Sequence, residues 1–155
     1  MIRTLLAAAA LALSGCATLP PPESAPAPLQ DSVEAYAAPE RELMVPVEGG
    51  DVYVRVNGDL DAAPPVVFLH GGPGGTHNGL ASMLGLADER AVILYDQLDS
   101  GRSDHPNDPA NWRVERFVEE LETIRRTLGV DRWHVVGHSW GCLLYTSDAA
   151  DDLLC

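Results

Sequence analysis

The chain contains two short runs in which every residue is apolar, VVFL at 66–69 and AVILY at 91–95. A strand with one solvated face alternates apolar and polar residues, whereas an unbroken run of this length is typical of a strand buried on both faces of a parallel sheet. Two parallel strands need a crossover connection of about a dozen residues or more, and the 21 residues at 70–90 are long enough to supply it. The sequence therefore predicts an α/β architecture around a buried sheet.

The segments around these runs predict the remaining strands and the covering helices. Apolar residues alternate on both sides of the Gly-Gly pair at 49–50, which indicates a β-hairpin; they are Leu43, Val45, Val47, Val52, Val54 and Val56. A helix is predicted at 78–87, and a more amphipathic one at 114–128, with Gly129 as its terminator. A third buried strand is predicted at 133–136. The predicted order is a hairpin followed by β-α-β-α-β.

The pentapeptide GHSWG at 137–141 directly follows the last predicted strand. It has the form G-x-S-x-G, which between a strand and a helix is typical of a nucleophile elbow, a sharp turn that holds a serine in a strained conformation and exposes its hydroxyl. Side chains at 137 and 141 are expected to collide with neighbouring backbone. The following helix directs free N–H groups and the positive end of its dipole toward charge that develops nearby. Ser139 is therefore the predicted nucleophile.

Two further glycine-rich segments each follow a predicted strand, HGGPGG at 70–75 and DQLDSGRS at 96–103. Together with the elbow, they make the chain resemble the α/β-hydrolase fold, and within it the proline iminopeptidases, a group of serine aminopeptidases. The signature loop of that group is HGGPGG, and the second segment is similar to its D-Q-x-G-x-G-x-S. Asp99 stands where that pattern has glycine. The resemblance covers about residues 41–141 and implies the N-terminal part of the fold, from the hairpin to the elbow.

The resemblance also implies roles for individual residues. It makes the backbone N–H groups of Gly72 and Trp140 the oxyanion donors, and it places the acid and the histidine base of the triad after the nucleophile in chain order. Neither the acid nor the base is assigned within this chain, so we expect the 155-residue chain to be inactive as a hydrolase. The resemblance implies no metal and no cofactor.

Other polar and aromatic residues near these loops are predicted to be structural. His70 and His138 are expected to form structural hydrogen bonds, because the base in this fold follows the serine. Asp96 and Gln97 are expected to brace the glycine-rich loop. Loop or surface positions are predicted for His77, His105 and His134, and packing positions for Trp112 and Trp133.

The N-terminal segment has the pattern of an export signal. Arg3 precedes an apolar run at 5–13, which is too short to cross a bilayer but has the length of a signal-peptide core. The run ends in LSGC at 13–16, which resembles the lipobox of bacterial lipoproteins and implies that Cys16 carries lipid; an ordinary signal peptide with an incidental cysteine is the alternative. Ala17 follows, and the absence of an acidic residue there favours an outer-membrane lipoprotein that faces the periplasm.

The predicted domain organisation has four parts. Residues 1–16 are the lipoprotein signal peptide, and residues 17–39 form a tether in which six of 23 residues are proline. In polyproline geometry this tether spans roughly 70 Å. A disordered stub with no spacing role is the alternative. Residues 40–141 are the hydrolase segment. Residues 142–155 depart from the family pattern, and one codon set for CLLYTS at 142–147 resembles a transposase mosaic-end adapter used in sequencing libraries. This tail is therefore predicted to be non-native, with a divergent native helix as the alternative.

The charge of the chain limits its partners. It has 23 acidic residues and 10 basic ones, all arginine, for a net charge of −13. Nucleic acid is excluded as a predicted partner, because binding its backbone requires a basic face. The predicted partners are a peptide or small acyl substrate and a lipid bilayer reached through Cys16. The preferred function is release of N-terminal proline from peptides; a carboxylesterase of the same fold and a non-catalytic lipoprotein are the alternatives.

Overall fold

The computed structural model describes residues 38–148 of the chain. The predictions for the signal peptide, Cys16, the tether up to residue 37 and residues 149–155 lie outside the described residues. Within 38–148, no helix has both the length and the apolar character that a bilayer crossing needs.

Within the described residues 38–148, five strands form one mixed sheet in the order β1-β2-β4-β3-β5. The strands are β1 (Arg41–Val47), β2 (Gly50–Asn57), β3 (Val66–Leu69), β4 (Val92–Tyr95) and β5 (His134–Gly137). The first two form the predicted hairpin, with Val47 opposite Gly50 at its turn. β2 pairs antiparallel with β4, whereas β4, β3 and β5 run parallel. The predicted α/β architecture is confirmed.

One face of the sheet is covered by two α-helices, α1 (Val114–Thr127) and α2 (Trp140–Asp148). The apolar stripe of α1 is buried in a core that also contains the inward side chains of all four strands β1 to β4; its members are Phe117, Leu121 and Ile124. The helix ends as predicted, because Gly129 adopts a φ of 74° that lets its N–H bond to the carbonyl of Arg126 at 3.0 Å.

The opposite face of the sheet is covered by a 3₁₀ helix, His77–Leu86. Its Ala81 and Leu84 pack on Phe68 and Leu94 in a second, smaller core. The sequence predicts an α-helix at 78–87, and the structure corrects its type. The stretch contains Gly79 and Gly85 within ten residues, and glycine is among the poorest α-helix formers.

The third predicted strand is less buried than the sequence predicts. β5 pairs with β3 on one side and is the last strand of the sheet within residues 38–148. Val136 is 45% exposed and His134 is also exposed, so the prediction of a strand buried on both faces is wrong for β5. Burial alternates along β5, with Val135 partly buried against the main core, so one face of the strand is covered and the face of Val136 is not.

The helix after the elbow extends into the segment that is predicted to be foreign. α2 continues from Trp140 to Asp148, and Leu144 is fully buried in the main core with Phe117 and Ile124. Cys142 and Leu143 are exposed. The first residues of this segment therefore continue the helix that the elbow requires, and the non-native origin of 142–155 stays a prediction.

Candidate active site

The site lies at the carboxyl ends of β3 and β5. The chain leaves β3 for β4 on one side and returns to β5 on the other side of β3, which is a topological switch point. Open α/β sheets bind ligands in the crevice at such a point. Leu69 and Gly137 are opposite each other at the ends of the two strands, so the loops that begin at His70 and His138 start side by side.

Ser139 occupies the strained position of the turn between β5 and α2. Its φ is 55°, in the left-handed region that residues other than glycine rarely adopt. A Cβ at Gly137 would lie 2.5 Å from the carbonyl carbon of Gly141, and one at Gly141 would lie 2.5 Å from the carbonyl oxygen of Leu69. Both contacts are with backbone, so the expected requirement for glycine at 137 and 141 is confirmed, and the hydroxyl of Ser139 is presented at an exposed position.

The HGGPGG loop lies directly against the elbow. A Cβ placed on Gly71 would be 2.9 Å from the Cβ of Ser139 and 3.0 Å from the carbonyl oxygen of His138. Within residues 38–148, the backbone N–H groups of Gly72 and Trp140 donate no hydrogen bond. Two free N–H groups beside an exposed serine are the donors that an oxyanion hole needs. Their roles stay predictions, which this arrangement supports.

His70 braces the loop that carries Gly71 and Gly72. The ring is buried, and its Nε2 accepts the backbone N–H of Gln97 at 3.0 Å, so Nδ1 carries the proton and donates to the carbonyl of Gly71 at 3.0 Å. The amide of Gln97 returns a bond to the carbonyl of His70 at 2.9 Å. Burial lowers the pKa of His70 below its usual range, because the charged ring would lose its hydration. The ring is neutral, and both of its nitrogens take part in these hydrogen bonds. This agrees with the structural roles that the sequence predicts for His70 and Gln97.

Asp96 and His77 form a buried pair that the sequence did not predict. His77 Nδ1 lies 2.9 Å from both carboxylate oxygens of Asp96, whose carboxylate also accepts the backbone N–H groups of His77 and Arg102 at 2.7 and 2.9 Å. Burial raises the pKa of Asp96, but the bonds from His77 and Arg102 outweigh it and hold the pKa below its usual range. The bracing role predicted for Asp96 is confirmed. The surface position predicted for His77 is wrong, because its side chain is 5% exposed.

The remaining histidines and tryptophans divide between surface and core. His105 and His134 are exposed, as predicted. The ring of His138 is exposed and makes no hydrogen bond within residues 38–148, so the structural role predicted for this side chain is wrong. Its backbone N–H donates to the carbonyl of Leu69 at 3.0 Å. Trp133 packs against the main core, but Trp112 is 58% exposed, so the packing role predicted for it is wrong.

Asp99, which stands where the family pattern has glycine, adopts a left-handed backbone conformation. Its φ is 66°, which aspartate tolerates better than most residues because its short side chain bonds to nearby backbone. The carboxylate accepts the backbone N–H of Asn107 at 2.7 Å and the indole N–H of Trp112 at 2.9 Å. The departure from glycine therefore places a carboxylate, held by two N–H groups, beside an exposed tryptophan.

The triad is not assembled within the described residues. All five histidines of the chain lie in 38–148, and none of them hydrogen-bonds to the hydroxyl of Ser139. Among the same residues, no group of three or more histidine, cysteine, aspartate or glutamate side chains is placed to hold a metal ion. The arrangement is consistent with the predicted nucleophile and oxyanion donors, and a general base has to be added for turnover.

Known proteins share this arrangement of elements. A profile of the alpha/beta hydrolase fold matches residues 64–151. The proline iminopeptidase of Heyndrickxia coagulans is 47% identical over 103 residues, which are 66% of this chain and 36% of that protein. The crystal structure of VinJ has 38% identity and a TM-score of 0.69, over 74% of this chain and 40% of VinJ. The structure of proline iminopeptidase from Mycobacterium smegmatis has 39% identity and a TM-score of 0.65, over 72% and 40%.

These similarities confirm the resemblance that the three glycine-rich segments predict. The chain spans about two fifths of the length of each of these relatives. The profile match covers more than half of the chain and contains β3, β4, α1, β5 and the elbow. The chain therefore belongs to the α/β-hydrolase fold family, and its relatives there include the serine aminopeptidases named proline iminopeptidases.

Proposed function

We propose that the protein is a serine hydrolase that releases N-terminal proline from peptides. The observation that carries this proposal is the contact between the strained Ser139 and the loop of Gly71 and Gly72, with free N–H groups at Gly72 and Trp140. The names of the relatives from Heyndrickxia coagulans and Mycobacterium smegmatis support the substrate class.

The geometry supports a two-step acyl transfer. The hydroxyl oxygen of Ser139 attacks the carbonyl carbon of the first residue, and a base takes the hydroxyl proton. The carbonyl oxygen becomes an oxyanion that the N–H groups of Gly72 and Trp140 stabilise, and the leaving amine departs with the proton from the protonated base. Water then hydrolyses the ester on Ser139 and releases the amino acid.

The base for this reaction is not supplied by the described residues. His70 is neutral, buried and bonded to backbone groups on both ring nitrogens, and His77 is bonded to Asp96. We propose that the acid and the histidine lie in coding sequence beyond the elbow, and that the 155-residue chain alone has no turnover. Sequencing the locus downstream of codon 141 tests this directly, because an aspartate followed by a histidine is expected there.

The substrate class is tested by comparing two reactions of that longer gene product. Hydrolysis of L-prolyl p-nitroanilide is expected, whereas N-acetyl-L-prolyl p-nitroanilide, which lacks the free amine, is expected to react at least about a hundredfold more slowly, since an aminopeptidase site leaves polar groups unpaired without the amine. Release of p-nitroaniline is followed by absorbance. Activity on p-nitrophenyl esters with none on the prolyl amide would favour a carboxylesterase, and activity on neither would favour a non-catalytic lipoprotein.

We also propose that Cys16 anchors the protein to the outer membrane, on its periplasmic side. The proposal rests on LSGC at 13–16 and on the proline-rich tether that follows it. The expected result is that the wild-type protein fractionates with membranes and partitions into detergent, because a lipidated cysteine supplies the acyl chains that hold it there. Cys16→Ser is expected to shift the protein to the soluble fraction, and Cys142→Ser serves as the matched control. Equal solubility of all three proteins would contradict the anchor.

A further inference from the structure

The glycine-rich loop at 70–77 is held at both of its ends by the same neighbouring segment. At its start, the ring of His70 accepts the backbone N–H of Gln97 at 3.0 Å. At its end, the backbone N–H of His77 donates to Asp96 Oδ1 at 2.7 Å, and Nδ1 of its ring lies 2.9 Å from both carboxylate oxygens. Asp96 and Gln97 are consecutive, so the loop is attached at two points to one short piece of backbone.

Between these two attachments, the 70–77 loop has little to fix its shape. Among the described residues, its one internal backbone bond runs from the N–H of Gly75 to the carbonyl of Gly71 at 3.1 Å. Gly72 and Gly74 have φ values of 128° and 92°, and glycine loses more conformational freedom on folding than any other residue. The position of the Gly72 N–H therefore depends on where the two ends of the loop are held.

Asp96 is a well-fixed acceptor for the ring of His77. The residue is fully buried, and its carboxylate also accepts the backbone N–H of Arg102 at 2.9 Å. A Cβ on Gly101 would lie 2.2 Å from Asp96 Oδ2, so the chain passes directly over the carboxylate. Hydrogen bonds to an ionised acceptor are roughly twice as strong as neutral ones. The ring of His77 is therefore strongly attached to a group that its surroundings hold in place.

The orientation of the His77 ring suits this hydrogen bond. The side chain is 5% exposed, and the ring of Tyr53 packs against it with the centroids 5.0 Å apart. A carboxylate only accepts, so Nδ1 carries the proton whether or not Nε2 is also protonated. Within residues 38–148, Nε2 makes no hydrogen bond. The polar contact of this side chain among the described residues is therefore its bond to Asp96.

His77 does not reach the serine on which the proposed reaction takes place. It lines a cavity of about 620 Å³, to which no residue of the elbow at 137–141 contributes in the described part of the chain. It also makes no hydrogen bond to Ser139. An effect of the His77 ring on the reaction therefore has to be transmitted by the loop that carries Gly72.

We propose that His77 is a positioning residue for the oxyanion site. By holding the end of the 70–77 loop on Asp96, its ring keeps the N–H of Gly72 directed at the point where the oxyanion develops, without touching the substrate. The inference rests on the proposed function, because it takes Gly72 as an oxyanion donor. A displaced donor stabilises the transition state less and leaves binding of the ground-state substrate nearly unchanged.

The test compares His77→Ala with His77→Asn in the longer gene product. Alanine removes the ring but keeps the backbone bond to Asp96, so one of the two bonds at this end of the loop is lost. We expect the kcat for L-prolyl p-nitroanilide to fall about ten- to hundredfold, less than for loss of a whole donor, and the KM to change less than about twofold. The amide N–H of asparagine lies close to the place of Nδ1, so His77→Asn is expected to keep kcat within about threefold of wild type.

A transition-state mimic separates positioning from a general structural role. The boron of L-boroproline bonds to the oxygen of a reactive serine and becomes tetrahedral, whereas L-prolinamide resembles the ground state. In His77→Ala, the Ki of L-boroproline is expected to rise by about the factor by which kcat falls, and the Ki of L-prolinamide to stay within about twofold. His134→Ala is the matched control, because His134 is exposed at the end of β5 away from Ser139 and its loss is expected to change neither Ki.

Hydrogen exchange of the 155-residue chain supplies a measurement that needs no turnover. The N–H of Gly75 is expected to exchange about tenfold faster in His77→Ala than in wild type, because a loosened loop end opens its bond to Gly71 more often. The N–H groups of β4 and α1 are expected to keep their rates. An equal rise of the rates in the loop, β4 and α1 would indicate a global loss of stability and would overturn the proposal.

The other outcomes separate the positioning role from the reaction. An unchanged kcat in His77→Ala, a loss that His77→Asn does not restore, or equal changes in the Ki of both ligands would reject the role of His77 and leave the serine hydrolase standing. A loss of kcat on the order of 10⁶-fold would show instead that His77 is the base. If the longer product hydrolyses neither prolyl amides nor esters, but exchange at Gly75 alone accelerates in His77→Ala, the hydrolase is rejected and the attachment of the loop by His77 stands.

Discussion

Alanine at position 139 is expected to lower the rate of prolyl amide hydrolysis by on the order of 10⁶-fold in the gene product that also contains the histidine base. Ser139 is the residue that the elbow places in the left-handed conformation, and the next residue, Trp140, has a backbone N–H that donates no hydrogen bond within residues 38–148. Without this hydroxyl no acyl-enzyme forms, and the oxyanion donors alone retain only a small residual rate. Steady-state hydrolysis of L-prolyl p-nitroanilide measures the loss.

A fluorophosphonate probe supplies the independent measurement. It is expected to add one adduct to the wild-type gene product, located at Ser139 by mass spectrometry, and none to Ser139→Ala. Ser82→Ala is the matched control, because Ser82 is exposed on the 3₁₀ helix and is not part of the site. An adduct that persists in Ser139→Ala, or that maps to another serine, would show that the nucleophile lies elsewhere.

The part of the fold that sequence reasoning predicted is the part that depends on local pattern. The unbroken run of β3 and the alternation of β1 and β2 are properties of the segments themselves. The elbow was predictable for the same reason, since the need for glycine at 137 and 141 follows from the turn. In each case, short-range sterics and burial determine the structure.

The predictions are wrong at residues whose burial depends on contacts with distant parts of the chain. His77 has the sequence context of a surface loop, and it is buried because Asp96, 19 residues away, accepts its N–H groups. β5 has the apolar residues of a buried strand, but Val136 is 45% exposed, since the smaller core that contains its neighbour Phe68 includes residues of β3 and β4 and none of β5. Neither property is encoded within the segment, so periodicity and propensity do not predict it.

In the candidate site, too, features set by local sequence could be predicted, and features set by distant contacts could not. The strained position of Ser139 could be predicted from its pentapeptide, but a cavity lined by Asp99 is formed by two loops together with residues of α1 and α2. One sequence signal for Asp99 was available, namely its departure from glycine in the segment at 96–103. The prediction treated that departure as a question about the turn. The structure shows that Asp99 has a φ of 66° and that its carboxylate accepts N–H groups of Asn107 and Trp112.

The second large effect is expected at the buried ion pair of α1, formed by Arg116 and Glu120. Their side chains are 1% and 0% exposed, and Arg116 Nη1 lies 2.8 Å from Glu120 Oε2. Arg116 also donates to the backbone carbonyls of Asn111 at 2.8 Å and Glu48 at 3.3 Å, so the pair joins α1 to the loop before it and to the hairpin turn. Removing one member leaves a buried charge without its partner, which costs about 3 to 5 kcal/mol.

Arg116→Met is therefore expected to lower the free energy of unfolding by about 3 to 5 kcal/mol near pH 8, and by much less at pH 5. Burial raises the pKa of Glu120 to about 7, even though Arg116 opposes the shift. A carboxyl group whose pKa is higher in the folded than in the unfolded state contributes its full stabilisation of the folded state at pH values below the unfolded pKa. This stabilisation is lost as the pH rises through the folded pKa. Without Arg116 the pKa rises further, so at pH 5 the carboxyl is protonated and the penalty for burying its charge is absent.

Urea denaturation of the wild-type chain and Arg116→Met at pH 5 and pH 8 measures this difference. Arg126→Met is the matched control, since Arg126 forms the same i, i+4 pair with Glu122 on the exposed side of α1. Its side chain is 68% exposed, so its loss is expected to be about 1 kcal/mol or less at both pH values. Equal losses for the two variants, or a loss for Arg116→Met that is the same at pH 5 and pH 8, would show that the buried carboxylate does not determine the stability of this helix.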